Sequence, residues 1–258
     1  MARISSAMIP SASLADISRA QQQLVEAARQ SSAQTRASDL KGYGREAQTL
    51  VSAQRLIART QSFQANAREL TTRMQIQDVA IGRAAEAVNT LKQDLFQNIS
   101  LDSGEGVRAQ LEEAFAVLKD TMNTNLGGRY LFGGVRNDAA PVSVASLSDL
   151  AANPLTDAIE QGAEAQVMRV EDGRTVQAGV VADDVISLAM ASIKRLAEVD
   201  EGPDGPFGGD LTDPQRTAIQ SELTALSAAF DNILSQQSEN GRLSKEVDNA
   251  STRLTSNR

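Results

Sequence analysis

Two sets of apolar residues recur with heptad spacing in this chain of 258 residues, the first before residue 98 and the second from residue 219 onward. Heptad spacing places a narrow apolar seam along one face of a long helix, and that seam is stable only when another helix covers it. Because the two sets lie near opposite ends of the chain, they predict two long helices packed antiparallel. The predicted rod seam consists of Leu56, Phe63, Leu70, Met74, Ile81, Val88, Leu91, Leu95, Ile219, Leu223, Leu226, Phe230, Ile233, Val247 and Leu254.

The sequence between the two long helices predicts smaller elements. Apolar stripes indicate helices at about 105–125 and 182–199, and alternating residues around Asp172-Gly173 indicate a β-hairpin over 166–180. The predicted fold is therefore mainly α. It consists of a long antiparallel helical rod, a coiled-coil bundle, with a small α+β middle module that contains the hairpin.

Three domains are expected. Residues 1–44 form an N-terminal helix that is marginal by itself, because its apolar stripe is thin and an isolated helix needs tertiary contacts. Leu14, Ile17 and Leu24 in that stripe are candidates for contact with another subunit. The glycines of Gly42-Tyr43-Gly44 separate this helix from a rod domain formed by 45–135 and 182–258. Residues 136–181 are predicted to be an acidic, partly β outer module.

The composition argues against an enzyme. The chain has no Cys and no His, so it lacks a thiol nucleophile, the usual general base and the commonest metal ligands. No phosphate-binding loop or calcium-loop spacing is present. We therefore expect no catalytic residue, no cofactor and no metal site. The low aromatic content, 3%, suits a thin helical rod better than a thick globular core.

Charge and hydropathy exclude two kinds of partner. The net charge is −8, with a local charge of +4 in residues 1–60 and −10 in residues 136–213. Since no basic patch is interleaved with aromatic residues, nucleic-acid binding is not expected. No apolar run reaches 18 residues, which argues against membrane insertion, and the N-terminus has no apolar core of a signal peptide.

Three segments resemble the bacterial flagellin family, most closely its branch of hook–filament junction proteins, the hook-associated protein 3 type. The opening residues, Met1 to Met8, are similar to the start of that branch. The stretch Gly128-Arg129-Tyr130-Leu131-Phe132-Gly133-Gly134 is similar to the Gly-x-Tyr-Leu-Phe-x-Gly segment of that branch. We call these seven residues of the chain the family-like segment. The C-terminal stretch from Asn240 to Leu254 resembles the family's C-terminal rod helix.

The resemblance implies a flagellin-like bundle and a structural protein that self-assembles into the bacterial flagellum. It further implies export through the flagellar secretion channel without a cleaved signal peptide, and a location outside the cell. The implied partners are copies of the chain itself, the hook-side junction protein, flagellin and an export chaperone. Because family members usually continue with a further C-terminal helix, we expect a truncated chain or an unusually short member.

Two other functions are consistent with the sequence. The close alternative is a flagellin that forms the filament itself. A different class is a cytosolic coiled-coil adaptor, since heptads alone are common to every coiled coil.

Overall fold

The computed structural model describes residues 8–33, 47–160 and 164–256. Within these residues, two antiparallel β-hairpins are present and are separate from each other. The mainly-α fold with a small β-containing middle is confirmed. In chain order the elements are α1 (Met8–Ala33), α2 (Ala47–Leu101), α3 (Val107–Met122), β1 (Asn125–Leu126), β2 (Arg129–Tyr130), α4 (Leu147–Ala152), α5 (Leu155–Ala158), β3 (Val167–Glu171), β4 (Arg174–Gln177), α6 (Ala182–Glu201) and α7 (Asp213–Ser256).

The chain forms two compact units, Met1–Arg59 and Thr60–Arg258. In the first, the described residues belong to α1 and to the beginning of α2, and several of their apolar side chains are exposed. Residues 1–7 and the predicted break at Gly42-Tyr43-Gly44 lie outside the described residues.

In the second unit, α7 runs antiparallel to α2. The side-chain amide of Asn240 donates a hydrogen bond of 2.9 Å to the carbonyl of Met74. Further along α2, the ammonium of Lys92 lies 5.2 Å from the ring centre of Phe230, which precedes Asn240 on α7. The later residue on α2 therefore contacts the earlier residue on α7, so the two helices are antiparallel, as the two heptad sets predict.

α3 and α6 pack with α2 and α7 around one apolar core. α3 returns along α2, and the Asn98 side chain donates a hydrogen bond of 2.8 Å to that of Gln110 near their connection. α6 packs on α7 and α3. One continuous cluster of buried apolar residues joins all four helices, with Leu91, Phe115, Ile193 and Leu226 among its members.

The middle of the chain packs on these helices. Leu147, Leu150 and Ile159 belong to the same core cluster as α3 and α6. The β3–β4 hairpin packs Val170 and Val176 against a second cluster formed by α2 and α7. Because a two-stranded hairpin alone is marginal in water, this apolar support accounts for its presence.

Candidate assembly site

Most of the predicted rod seam is buried in the second unit. The apolar side chains lie between α2, α7 and their neighbours, where removing them from water stabilises the fold by about 25 cal/mol for each Å². Leu223 and Phe230 are partly buried against the core, and Leu254 is half-buried. The buried members are Phe63, Leu70, Met74, Ile81, Val88, Leu91, Leu95, Ile219, Leu226, Ile233 and Val247.

Leu56 departs from this pattern. It is 56% exposed, and so is not a buried seam residue in this chain. Heptad spacing identifies which face of a helix is apolar. It does not show how far along the helix a partner covers that face.

The N-terminal contact candidates lie on an exposed face. Leu24 is 71% exposed, and Ile17 and Val25 are also exposed, so the described residues leave this apolar stripe open to solvent. Leu14 lies outside the residues whose side chains are described. A stripe of this kind is typical of a surface that another chain covers.

The family-like segment connects two helices of the second unit. It begins within the tight β1–β2 turn, where Gly127 and Gly128 both have positive φ. Leu131 and Phe132 are buried in the core, whereas Tyr130 is half-buried and Arg129 is exposed. The backbone N–H of Leu131 donates to Thr124 at 3.0 Å, and the carbonyl of Phe132 accepts from Ala182 at 3.0 Å. The segment thereby links the end of α3 to the start of α6.

Two buried polar side chains of α2 hold the same segment. The Gln77 amide donates to the carbonyl of Leu131 at 2.8 Å and to that of Val180 at 3.1 Å. Arg73 donates to Leu131 at 2.8 Å and to the Gln166 side chain at 3.1 Å. Burial lowers the pKa of the Arg73 guanidinium. The sequence pattern shows Gln77 only as a polar interruption of the seam, and it gives no signal for Arg73.

Gly179 is expected to tolerate no side chain, because its φ is +95° and an added Cβ would overlap the side-chain oxygen of Gln77. Gly173 also has a positive φ, but it has open space around it. We expect Gly173→Ala to cost about 1 kcal/mol of unfolding free energy through backbone strain. Gly179→Ala should cost about 3 kcal/mol, since steric overlap adds to the strain. Urea unfolding measures both values, and equal losses would contradict the packing of Gln77 on Gly179.

A second polar network joins α3, α4 and α6. Arg108 donates to the buried carboxylate of Asp200 at 2.6 Å and to the hydroxyl of Ser148 at 3.1 Å. Asp200 also accepts from the backbone N–H of Phe207 at 2.8 Å, which ties down the loop before α7. The hydrogen bond to Asp200 raises the pKa of Arg108. Nothing in the sequence pattern identifies Asp200 as buried.

The Glu171–Arg253 pair fastens the β3–β4 hairpin to α7. Arg253 donates two hydrogen bonds to Glu171, at 2.8 and 2.9 Å. These bonds, followed by the charges of Arg253 and Arg174, lower the pKa of the Glu171 carboxyl, against the opposing effect of burial.

Acidification should loosen the hairpin. A lowered pKa in the folded chain means that the ionised Glu171 stabilises the fold above the unfolded-state pKa. That contribution is lost as the pH falls through the lower folded-state value. We expect Glu171→Gln to speed amide hydrogen exchange in 167–177 at neutral pH. Below the folded-state pKa, exchange in the variant and in the original chain should converge, and a difference that persists there would contradict this assignment.

The described residues contain no group of three acidic side chains placed to hold a metal ion. None of the helices described has both the length and the apolar character needed to cross a bilayer.

No protein-family model and no curated protein matches the sequence. Among solved structures, the chain is similar to a flagellar hook-associated protein from Vibrio parahaemolyticus, with a TM-score of 0.67 and 17% identity over 85% of this chain and 95% of that chain. It is also similar to Bacillus cereus FlgL, with a TM-score of 0.58 and 14% identity over 78% of this chain and 98% of that chain. The chain has the fold of these flagellar proteins, and at the level of the fold the resemblance predicted from its sequence is confirmed.

Proposed function

We propose that the chain is a structural subunit of the bacterial flagellum that joins the hook to the filament. The observation that carries the proposal is the fold, which is shared over nearly the whole length of a flagellar hook-associated protein. On this proposal the chain acts by assembly and catalyses no reaction.

The exposed apolar faces support an assembling subunit. Ile17, Leu24 and Val25 form an open stripe on α1, and an exposed apolar stripe is stabilised when a partner covers it. The buried seam between α2 and α7 gives the second unit a core of long helices that needs no cofactor. The proposed partners are copies of the chain, the hook-side junction protein, flagellin and an export chaperone. Export through the flagellar secretion channel would place the assembled protein outside the cell.

Electron microscopy of the source bacterium after deletion of the gene tests the junction function. We expect cells that carry hooks without filaments and that release flagellin into the medium. Restoring the chain should restore the filaments. Deleted cells with complete filaments would contradict the proposal.

Two further measurements separate the alternatives. Long filaments grown from the purified full-length protein alone would indicate a filament flagellin. Retention of the protein in the cytosol of motile cells would indicate an adaptor. A matched pair, Leu24→Asp on the exposed stripe and Gln22→Asp as a control elsewhere on α1, tests whether assembly depends on the stripe.

A further inference from the structure

A groove of about 430 Å³ lies between α2 and α3 in the second unit. Its lining includes the apolar side chains of Ala87, Leu91, Ala114 and Val117, of which Leu91 and Ala114 are buried. An apolar groove between two helices is a surface along which a third helix can lie.

The lining of the groove is also acidic. Glu86, Asp94, Glu113 and Asp120 contribute four carboxylates, whereas Arg83 is the one basic residue. Within the described part of the chain, none of these four carboxylates has a partner in an ion pair. The chemistry of the groove therefore fits a helix with a small apolar face and positive charge.

The chain contains such a helix at the beginning of α2. Between Ala47 and Arg59 it carries two arginines, at 55 and 59, and no acidic residue. Leu56 and Ile57 are 56% and 55% exposed, and together with Ala53 they occupy positions i, i+3 and i+4 of one helix face. This is the spacing with which a helix anchors in an apolar groove.

We propose that the groove between α2 and α3 binds residues 47–59 of a second copy of this chain. The inference rests on the proposed self-assembly and assigns one contact to it. The segment and part of the lining of the groove belong to the same helix, α2. The contact joins two different surfaces, which makes it head-to-tail and able to extend from copy to copy.

Disulfide trapping tests the contact directly, because the chain has no cysteine of its own. One full-length variant carries Thr90→Cys in the groove, and another carries Ala53→Cys in the segment. After mixing and oxidation, we expect at least ten times more of this heterodimer than with Ser238→Cys, an exposed control on α7, in place of Thr90→Cys. Equal yields, or a preference for Thr90→Cys homodimers, would overturn the proposal.

Charge reversal provides a second test. Arg55→Glu or Glu113→Arg alone should weaken self-association of the full chain, measured by sedimentation equilibrium, by tenfold or more at low salt. Both changes in one chain restore the opposite charges across a head-to-tail contact, and self-association should recover. Additive loss in the double variant would overturn the proposal.

The proposed groove contact and the proposed junction function can be disproved independently. Normal hook–filament junctions built from the Glu113→Arg chain would overturn the contact while leaving the junction function intact. Cross-linking through the groove, combined with complete flagella in the deletion strain, would overturn the junction function alone.

Discussion

Ile81→Asp is expected to abolish the folded state of the second unit. The Ile81 side chain is fully buried within the core cluster shared by α2, α3, α6 and α7. A carboxylate there would be removed from water without a partner, at a cost of several kcal/mol. That cost is comparable to the whole stability of an ordinary domain, about 5–15 kcal/mol. Circular dichroism should show lost helicity or a strongly lowered melting temperature, and Leu70→Asp should act in the same way.

Val79→Asp is the matched control. It places the same charge on α2, two residues away, at a side chain that is 59% exposed. Its effect should remain within about 0.5 kcal/mol, as is usual for surface changes. If the two variants melted alike, the assignment of Ile81 to a buried seam would be wrong.

The sequence was sufficient to predict the long helices, because their signal is periodic and extends over many turns. α2 and α7 follow the heptad sets closely, and the helix start at Asp213-Pro214 agrees with the preference of proline for the first turn. The β3–β4 hairpin was predicted from alternation around Asp172-Gly173, and Gly173 adopts the positive φ that such a turn uses. Turn-forming residues and the repeat of apolar residues both depend on neighbours in the chain, so a single sequence is enough to detect them.

Contacts between distant segments could not be predicted in this way. Gln77 lies at a heptad position, and heptad spacing favours an apolar residue there. Its two hydrogen bonds join it to carbonyls 54 and 103 residues away. Arg108 and Asp200 are likewise brought together only by the packing of α3 on α6. No local pattern encodes such pairs, because each partner has an ordinary sequence environment.

The burial of these polar groups has a consequence for register. An apolar seam tolerates slippage by a heptad, whereas a polar side chain within it must find its own partners. Asn240 on α7 bonds to Met74 on α2, and Gln77 bonds to the family-like segment one turn further along. Together they favour a single alignment of α2, α7 and the middle of the chain.

Phe132→Ala is expected to give the second large effect. Phe132 is fully buried and is among the largest side chains of the core, so its removal leaves a cavity costing about 3–5 kcal/mol. Its carbonyl also accepts the hydrogen bond from Ala182 at the start of α6, so disorder around the cavity would reach that helix. Urea unfolding should show a lowered midpoint, and hydrogen exchange should increase at the first turn of α6.

Leu126→Ala provides the comparison, because it truncates an apolar side chain on the neighbouring β1–β2 hairpin that is 43% exposed. A partly exposed side chain loses less apolar contact, so we expect a cost of about 1 kcal/mol or less. If Phe132→Ala and Leu126→Ala shifted the midpoint equally, the family-like segment would not anchor the core. A large loss for Phe132→Ala alone, with faster exchange in α6, identifies the segment as the link between α3, α6 and the polar residues of α2.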